Sequence, residues 1–270
     1  MTLAEQWQIS GSGPENYERF AVGRHMRPIA ERFLEHIPLR AGDRVLDIAC
    51  GTGIVARLAA AKIAPPGRIV GLDLNDGMLA TAKRLADEAG LSIVWKQGDA
   101  TALPFADAEF DVVLCQQGLQ FISDKRRALR EMRRVLSPGG MVGLNVFGKP
   151  SRFHAALADG LAKFLGDVTV ATLSLAPFGL RNATILRALF DEAQFHDVSL
   201  ESANITRRVE PTQEWLLQYS SGLPYSAAIA GMTPSVRAEM LREIATKLKD
   251  DWAGDSFVVP CEVHYVIAHA

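Results

Sequence analysis

Val45-Leu46-Asp47-Ile48-Ala49-Cys50-Gly51-Thr52-Gly53 reads as a short strand running into a glycine bend and then a helix. The strand, Arg44–Ala49, is apolar apart from its arginine and one acid, and the alanine-rich stretch Ile54–Ile63 behind the bend is helical. The two glycines carry no Cβ, so the backbone there can come close to a ligand. The helix that follows aims its free N–H groups and the positive end of its dipole at the same point. Taken alone, Gly51-x-Gly53-x-x-Ala56 also fits a dinucleotide fingerprint, and Asp73 supplies the acid expected roughly 20 positions on. A carboxylate at the end of a second strand can accept bonds from both hydroxyls of a ribose.

Outward from the bend the chain alternates strand and helix. Arg68–Leu74 is a strand, and Asp76–Ala89 is a helix with Asp76 as cap and Gly90 as stop. Leu91–Trp95 and Phe110–Cys115 are strands. Asp124–Leu136 is a helix closed by Ser137-Pro138-Gly139-Gly140, and Met141–Phe147 is the fifth strand. Upstream, residues 10–14 form a flexible lead-in, followed by helical stretches at Glu15–Phe20 and Arg27–Ile37. Such alternation predicts a parallel sheet with helices on both faces, whose ligands sit outside the carboxyl ends of the strands. After Pro150 the rhythm breaks. Helices are expected at Phe153–Leu165, Ala183–Phe190, Gln213–Ser220 and Ser235–Leu248, a loop at Ala176–Leu180, and strands at His196–Arg207 and Phe257–Ala268.

Three features bear on the ligand. Asp47 stands four residues before Gly51, where a carboxylate would repel a pyrophosphate and welcome an ammonium group or its water shell. Asp99, in Gly98-Asp99-Ala100 after the third strand, is an acceptor suited to an adenine amino group, with the next N–H free for a ring nitrogen. Leu136-Ser137-Pro138-Gly139-Gly140 turns the chain sharply into the fifth strand.

VLDIACGTG, GLDLNDGML, GDATALPF, FDVVLCQQGLQF and RVLSPGG, in this order, resemble the motif series of class I S-adenosylmethionine-dependent methyltransferases, of the ubiquinone/menaquinone-biosynthesis type and its bacterial small-molecule relatives. The resemblance covers residues 40–147 and is poor across 151–260. It implies an α/β fold, a Rossmann-like mostly parallel seven-stranded sheet with helices on both faces, plus helical lid insertions. The chain would divide into an N-terminal helical cap (1–39), a cofactor-binding core (40–150), a lid insertion (151–180) and the end of the core sheet (181–270) with a helical insertion at 211–250. The bland alternative is that the insertions only thicken the scaffold.

The resemblance also implies roles for residues. Asp47, Ala49, Gly51 and Gly53 would wrap the methionine part of S-adenosyl-L-methionine. Asp73 would hold the ribose, Leu74 and Met78 would line the adenine face, and Asp99 and Ala100 would read the adenine edge. Gln116 and Gln117 would lie beneath the sulfonium and face the acceptor, and Tyr17 would close over the cofactor carboxylate. Ala49 departs from the glycine common at its position. Each has a plainer reading: a helix cap or strand-end charge for Asp73, a backbone cap for Asp47, plain core for Met78, a hydroxyl satisfied elsewhere for Tyr17.

The catalytic residue stays unassigned. His25 and His154 lie in segments bordering the cleft and are candidate bases, with Gln117 as a third candidate, although a lone histidine is more often solvated or core-satisfied. Cys50 has no base partner and is read as inert. Three widely spaced cysteines without CxxC or histidine grouping imply free thiols in a reducing compartment and no metal site.

The 270 residues suit one large α/β domain, and 48% hydrophobic with 22% charged residues mark a globular chain. A net charge of -2 argues against nucleic-acid or anionic-membrane partners. The N-terminal stretch lacks a basic start before an apolar run, and no apolar run reaches the roughly 18 residues of a bilayer span. The expectation is a cytoplasmic enzyme methylating a small-molecule acceptor, its oligomeric state open, a homodimer included. The asparagine/aspartate-Pro-Pro-aromatic group of amino-adenine and amide methylating enzymes is absent, as is the paired-glutamate loop of protein-arginine methylating ones. An NAD-type oxidoreductase and a non-catalytic S-adenosylmethionine-binding protein are the competing readings. An aminopropyl transferase is disfavoured because Gln116-Gln117-Gly118 replaces the acids that grip a polyamine.

Overall fold

The computed structural model describes residues 7–63 and 67–270. The first six residues of the expected 1–39 cap lie outside these.

Eight strands form one sheet: β1 (Arg44–Ile48), β2 (Arg68–Asp73), β3 (Val94–Gln97), β4 (Phe110–Gln116), β5 (Leu136–Phe147), β6 (His196–Val209), β7 (Trp252–Ala253) and β8 (Ser256–His269). Seven run in the order β3-β2-β1-β4-β5-β8-β6, and the two-residue β7 is added on β8. Pairs among β1 to β5 are parallel, whereas β8 is antiparallel to both β5 and β6. The α/β reading with a mostly parallel sheet therefore holds, with β7 as a small addition.

β1 and β4 are nearly continuous apolar runs, as strands covered on both faces must be. One covering layer packs Leu46, Ile48, Val113, Met132 and Phe190. The opposite layer packs Ile29, Phe33, Val45, Val55 and Leu114. Strand order reverses on either side of β1, which opens a crevice at the carboxyl ends of β1 and β4. A third hydrophobic cluster joins the two additions. Phe153, Leu157 and Leu161 pack with Trp215, Ile229, Met240 and Phe257.

Several boundaries differ from expectation, each for a local reason. The third strand starts later, at Val94, because the Leu91 N–H turns back to the Ala86 carbonyl over left-handed Gly90. The helix Asp76–Glu88 is capped by Asn75, not Asp76: the Asn75 side chain accepts from the Met78 N–H at 3.0 Å. The lead-in is shorter than expected, since helix already begins at Gly13, where Pro14 suits a first turn. Gly13–Asn16, Tyr17–Met26 and Arg27–Glu35 follow end to end, the middle segment being π-helical. Two helices were not expected at all, Val168–Leu175 and Ser226–Gly231.

Candidate functional site

The glycine bend sits where β1 ends, and its backbone is left-handed at three positions, two of which are glycine. Ala49, Gly51 and Gly53 have φ of 53°, 55° and 80°. Ala49 is the exception, an alanine held in glycine's region. A Cβ on Gly118 would come within 2.6 Å of the Ala49 Cβ, so the bare Gly118 makes the room that Ala49 occupies.

The acids stand at successive strand ends. Asp73, at the end of β2, accepts from the Gly51 N–H at 2.8 Å and the Asn75 N–H at 2.9 Å. Asp47 is 1% exposed. Its Oδ2 accepts from the Ala56 N–H at 3.0 Å, while its Oδ1 is buried without a partner. Burial, opposed by that bond and reinforced by the Asp73 charge, pushes the Asp47 carboxyl up to about 8. Burial likewise raises Asp73, against the N–H bonds of Asn75 and Gly51. Asp99 is exposed and accepts from the Thr101 N–H at 2.8 Å.

A cleft of about 380 Å³ runs along these ends. Tyr17, Ala49, Gly51, Asp73, Leu74, Met78, Asp99, Ala100 and Gln117 all line it. Leu74, which lines the cleft, keeps its apolar side chain 45% exposed. Asp47 and Gln116 instead line a smaller chamber of about 60 Å³, whose walls Tyr17, Ala49, Gly51 and Gln117 belong to both spaces. Gly53 lines neither. A Cβ there would strike the Trp95 indole at 2.4 Å, so this glycine serves packing against β3.

Sequence reasoning missed the cover of the cleft. Trp7, Ile9 and Phe121 line it, with Trp7 and Phe121 rings 4.4 Å apart. The Asn75 side-chain amide donates to the Ile9 carbonyl at 2.8 Å, which ties the N-terminal segment across the mouth. A tryptophan ahead of a glycine-rich lead-in was the available signal. The π-helical segment that carries Tyr17 is clasped to the bend by Glu18, which accepts from the Thr52 hydroxyl at 2.5 Å and pairs with Arg57 at 2.7 Å. Burial and the charges of Glu18 and Asp73 push the Tyr17 phenol well above its ordinary range. A Cβ on Gly222 would lie 2.6 Å from the Tyr17 Cα, so the second addition also seats on this residue.

No lysine or arginine is among the described residues lining the main cleft or the Asp47 chamber. Two adjoining, largely dry carboxyl groups with no local cation favour a positively charged guest and oppose a pyrophosphate. The orphaned Asp47 Oδ1 gives an ammonium group an acceptor, and Asp73 gives a ribose one. The residues therefore fit S-adenosylmethionine, an adenosyl group on a cationic amino acid.

Beneath the bend, Gln116 and Gln117 are committed to other partners. Gln116 donates to the Met26 carbonyl at 3.2 Å and accepts from Asn145 at 3.1 Å. Gln117 donates to Asn145 at 3.0 Å and accepts from the Phe147 N–H and from Gln120.

A third chamber, of about 100 Å³, opens on the far side of Tyr17 and Gln117. It shares Trp7, Tyr17, Gln117 and Phe121 with the main cleft, and both candidate histidines line it. Burial holds His25 down to about 3, with Arg207 adding to the shift, and its Nδ1 is buried without a partner. His154 is also pushed well down by burial and Arg207. Its Nε2 accepts from Arg207 at 2.7 Å and its Nδ1–H meets the Ser151 hydroxyl at 2.8 Å, so it has no free lone pair. Among the described residues, no group of three or more histidine, cysteine or acidic side chains is placed to hold a metal.

Comparisons with known proteins place the chain in a family and show its fold. The methyltransferase-domain family matches residues 45–140. A demethylmenaquinone methyltransferase of Lactobacillus johnsonii is 32% identical over 189 residues, 65% of this chain and 77% of that protein. A ubiquinone/menaquinone biosynthesis C-methyltransferase of Ectopseudomonas mendocina is 46% identical over 115 residues, and the chain spans only 44% of that relative. The solved phosphoethanolamine N-methyltransferase 2 of Haemonchus contortus, in complex with phosphomonomethylethanolamine and S-adenosylhomocysteine, superposes with a TM-score of 0.63 at 21% identity. That superposition covers 99% of this chain and 59% of the other, and it speaks for the fold.

Proposed function

From the premise that this chain belongs to the class I S-adenosylmethionine-dependent methyltransferases, of the quinone-biosynthesis type, we propose that the acid-lined cleft holds the cofactor and the third chamber holds a small acceptor. The carrying observation is that Asp73 and Asp99 line one cleft that has no lysine or arginine among its described residues and adjoins the orphaned Asp47 Oδ1. When bound, S-adenosylmethionine supplies a methyl group already activated on a sulfonium, so orientation and exclusion of water are the protein's main task.

In this reading Asp47 ionises against the ammonium group and Asp73 accepts from the ribose. Leu74 and Met78 cover the adenine, whose edge Asp99 and the Ala100 N–H address. Tyr17 and Gln117 stand where cofactor cleft and acceptor chamber meet. Gln117, with its amide committed to Asn145 and Phe147, fixes the partition wall and handles no proton. His154 is saturated, and His25 keeps one free ring nitrogen of low basicity, suited to hold a hydrogen bond more than to remove a tightly bound proton. Gly53 shapes the bend without touching the guest. The two additions, sharing their own core over the third chamber, serve as its lid. Three buried cysteines, none in a disulfide, support a reducing, cytoplasmic setting.

Calorimetric titration with S-adenosylhomocysteine and with NAD tests the reading. Binding of the first at micromolar strength and none of the second is expected. The reverse pattern would establish the oxidoreductase alternative instead.

A further inference from the structure

Arg207 projects from β6 into the third chamber, and its charge is unanswered. It is half-buried, its Nε is buried with no partner, and among the described residues its guanidinium donates to the neutral His154 Nε2 at 2.7 Å. It forms an ion pair with no carboxylate among the described residues, whereas Arg57, on the cleft's other flank, has Glu18 at 2.7 Å. Its charge acts on His25, His154, Tyr225 and Cys261, and none of these four supplies it with a counter-anion. The rings of Phe153 and Tyr219 lie 6.0 Å from the guanidinium carbon, near the outer limit of a cation–π contact.

A guanidinium stays charged at every physiological pH. Holding one partly dehydrated without a counter-anion is costly, and a ligand that brings the anion recovers that cost. His154 is arranged to serve this. Because arginine can only donate, the His154 Nε2 must accept, the ring proton is on Nδ1, and Nδ1–H donates to the Ser151 hydroxyl oxygen. The ring therefore steers the guanidinium fork without competing for an anion. Phe147, Phe178 and Tyr219 supply flat apolar walls around it, so the chamber suits a ring with one charged oxygen.

Resting on the cofactor reading above, we propose that Arg207 binds a negatively charged oxygen of the methyl acceptor, so that the acceptor is a flat, largely apolar mono-anion, and that the His154–Ser151 pair positions this arginine. An acceptor that enters as an anion has no proton to lose at that oxygen, in keeping with the lack of a strong base in the chamber. A carboxylate and an ionised phenol or enol share this chemistry.

The protein saturated with S-adenosylhomocysteine is titrated calorimetrically with benzoate, 4-nitrophenol and neutral benzamide, and the ionisation of 4-nitrophenol is followed by its absorbance. At least one anion should bind about tenfold more tightly than benzamide, a charge-assisted bidentate contact being worth that much. Preference for benzoate assigns a carboxylate, and preference for 4-nitrophenolate, with its ionisation midpoint moved to lower pH, assigns a phenolate. Arg207→Gln should abolish the preference while leaving benzamide and S-adenosylhomocysteine affinity unchanged, and Arg207→Lys should restore part of it. Intact S-adenosylhomocysteine binding with no anion preference in the wild type overturns the role of Arg207 alone and needs no variant to fold. Failure of the wild type to bind S-adenosylhomocysteine overturns the cofactor reading and this proposal with it.

Discussion

The Gly51 N–H donates to the Asp73 carboxylate at 2.8 Å, joining the ends of β1 and β2 across the floor of the cleft. The same carboxylate takes the Asn75 N–H at 2.9 Å, so its oxygens are aimed before any ligand arrives. Replacing Asp73 by alanine removes the ribose acceptor and leaves the Gly51 N–H without its partner. Affinity for S-adenosylhomocysteine should fall by more than about tenfold, or roughly 1.5–3 kcal/mol, as for loss of a hydrogen bond to a charged group. Circular dichroism should show the fold retained. Unchanged affinity by calorimetry would remove Asp73 from the site.

Asp47 gives a pH test whose sign can be worked out. Its folded value is about 8, whereas an unfolded carboxyl titrates near about 3.9. Between those limits the folded protein holds a proton that the unfolded chain has lost. Stability therefore falls as pH rises through this window, by at most about 1.4 kcal/mol per unit, and levels off above it. Asp47→Asn keeps a neutral group and should flatten the decline. Asp73 is shifted in the same direction and its charge adds to the Asp47 shift, so the difference reports Asp47 together with its coupling to Asp73. Urea midpoints of the two ligand-free proteins across the window report it, and parallel curves would refute it. A cationic ligand should also expel the Asp47 proton, visible as buffer-dependent heats of binding near neutral pH.

Ala49 and Gly118 form a matched pair. A methyl group on Gly118 would meet the Ala49 Cβ at 2.6 Å and the Cys115 Sγ at 2.8 Å. Gly118→Ala should cost about 1–3 kcal/mol, the usual range for overpacking. Ala49→Gly should change stability by less than about 1 kcal/mol, since relief of the left-handed backbone is offset by added freedom in the unfolded chain. Combined, the two should recover part of the loss. Strict additivity in thermal unfolding would show that the pair is not coupled.

Gly53 and Trp95 make a second pair, with consequences for fold more than for binding. Gly53→Ala sets a Cβ 2.4 Å from the Trp95 ring at a φ of 80°. It should destabilise by about 1–3 kcal/mol, and a Trp95→Leu background should lessen the added penalty. The folded fraction should keep its S-adenosylhomocysteine affinity within about twofold, less than one hydrogen bond's worth. A selective loss of affinity at unchanged stability would place Gly53 against the ligand after all.

The centre of the parallel half was legible because β1, β2 and β4 are apolar runs, and a run covered on both faces needs no partner to be recognised, whereas β3 is mostly exposed and its start was misplaced. The positions of Asp47, Asp73 and Asp99 followed from the strands, since each acid ends or follows one. What escaped depends on contacts between distant parts of the chain. Trp7 meets Phe121 only after folding, so the tryptophan ahead of the glycine-rich lead-in hints at a cover without naming what it packs on. Arg207 reads as an ordinary strand residue, and its lack of a counter-anion is a property of the chamber, not of the strand. Helix Val168–Leu175 was hidden by Val168, Thr169, Val170 and Thr172, whose branched side chains favour strand. Its start is enforced by Asp167, which accepts from the Thr169 N–H at 2.7 Å. Gly53 is the converse case: a motif glycine read as ligand contact lines neither space, and a Cβ there would meet the Trp95 ring on β3.

Gly222 and Tyr17 form a seam that two spaces share. No side chain stands between the second addition and the Tyr17 backbone, and Tyr17 lines both the main cleft and the third chamber. In the proposed reading this one phenol is a wall common to both guests, so bulk added at residue 222 would be felt on either side of it.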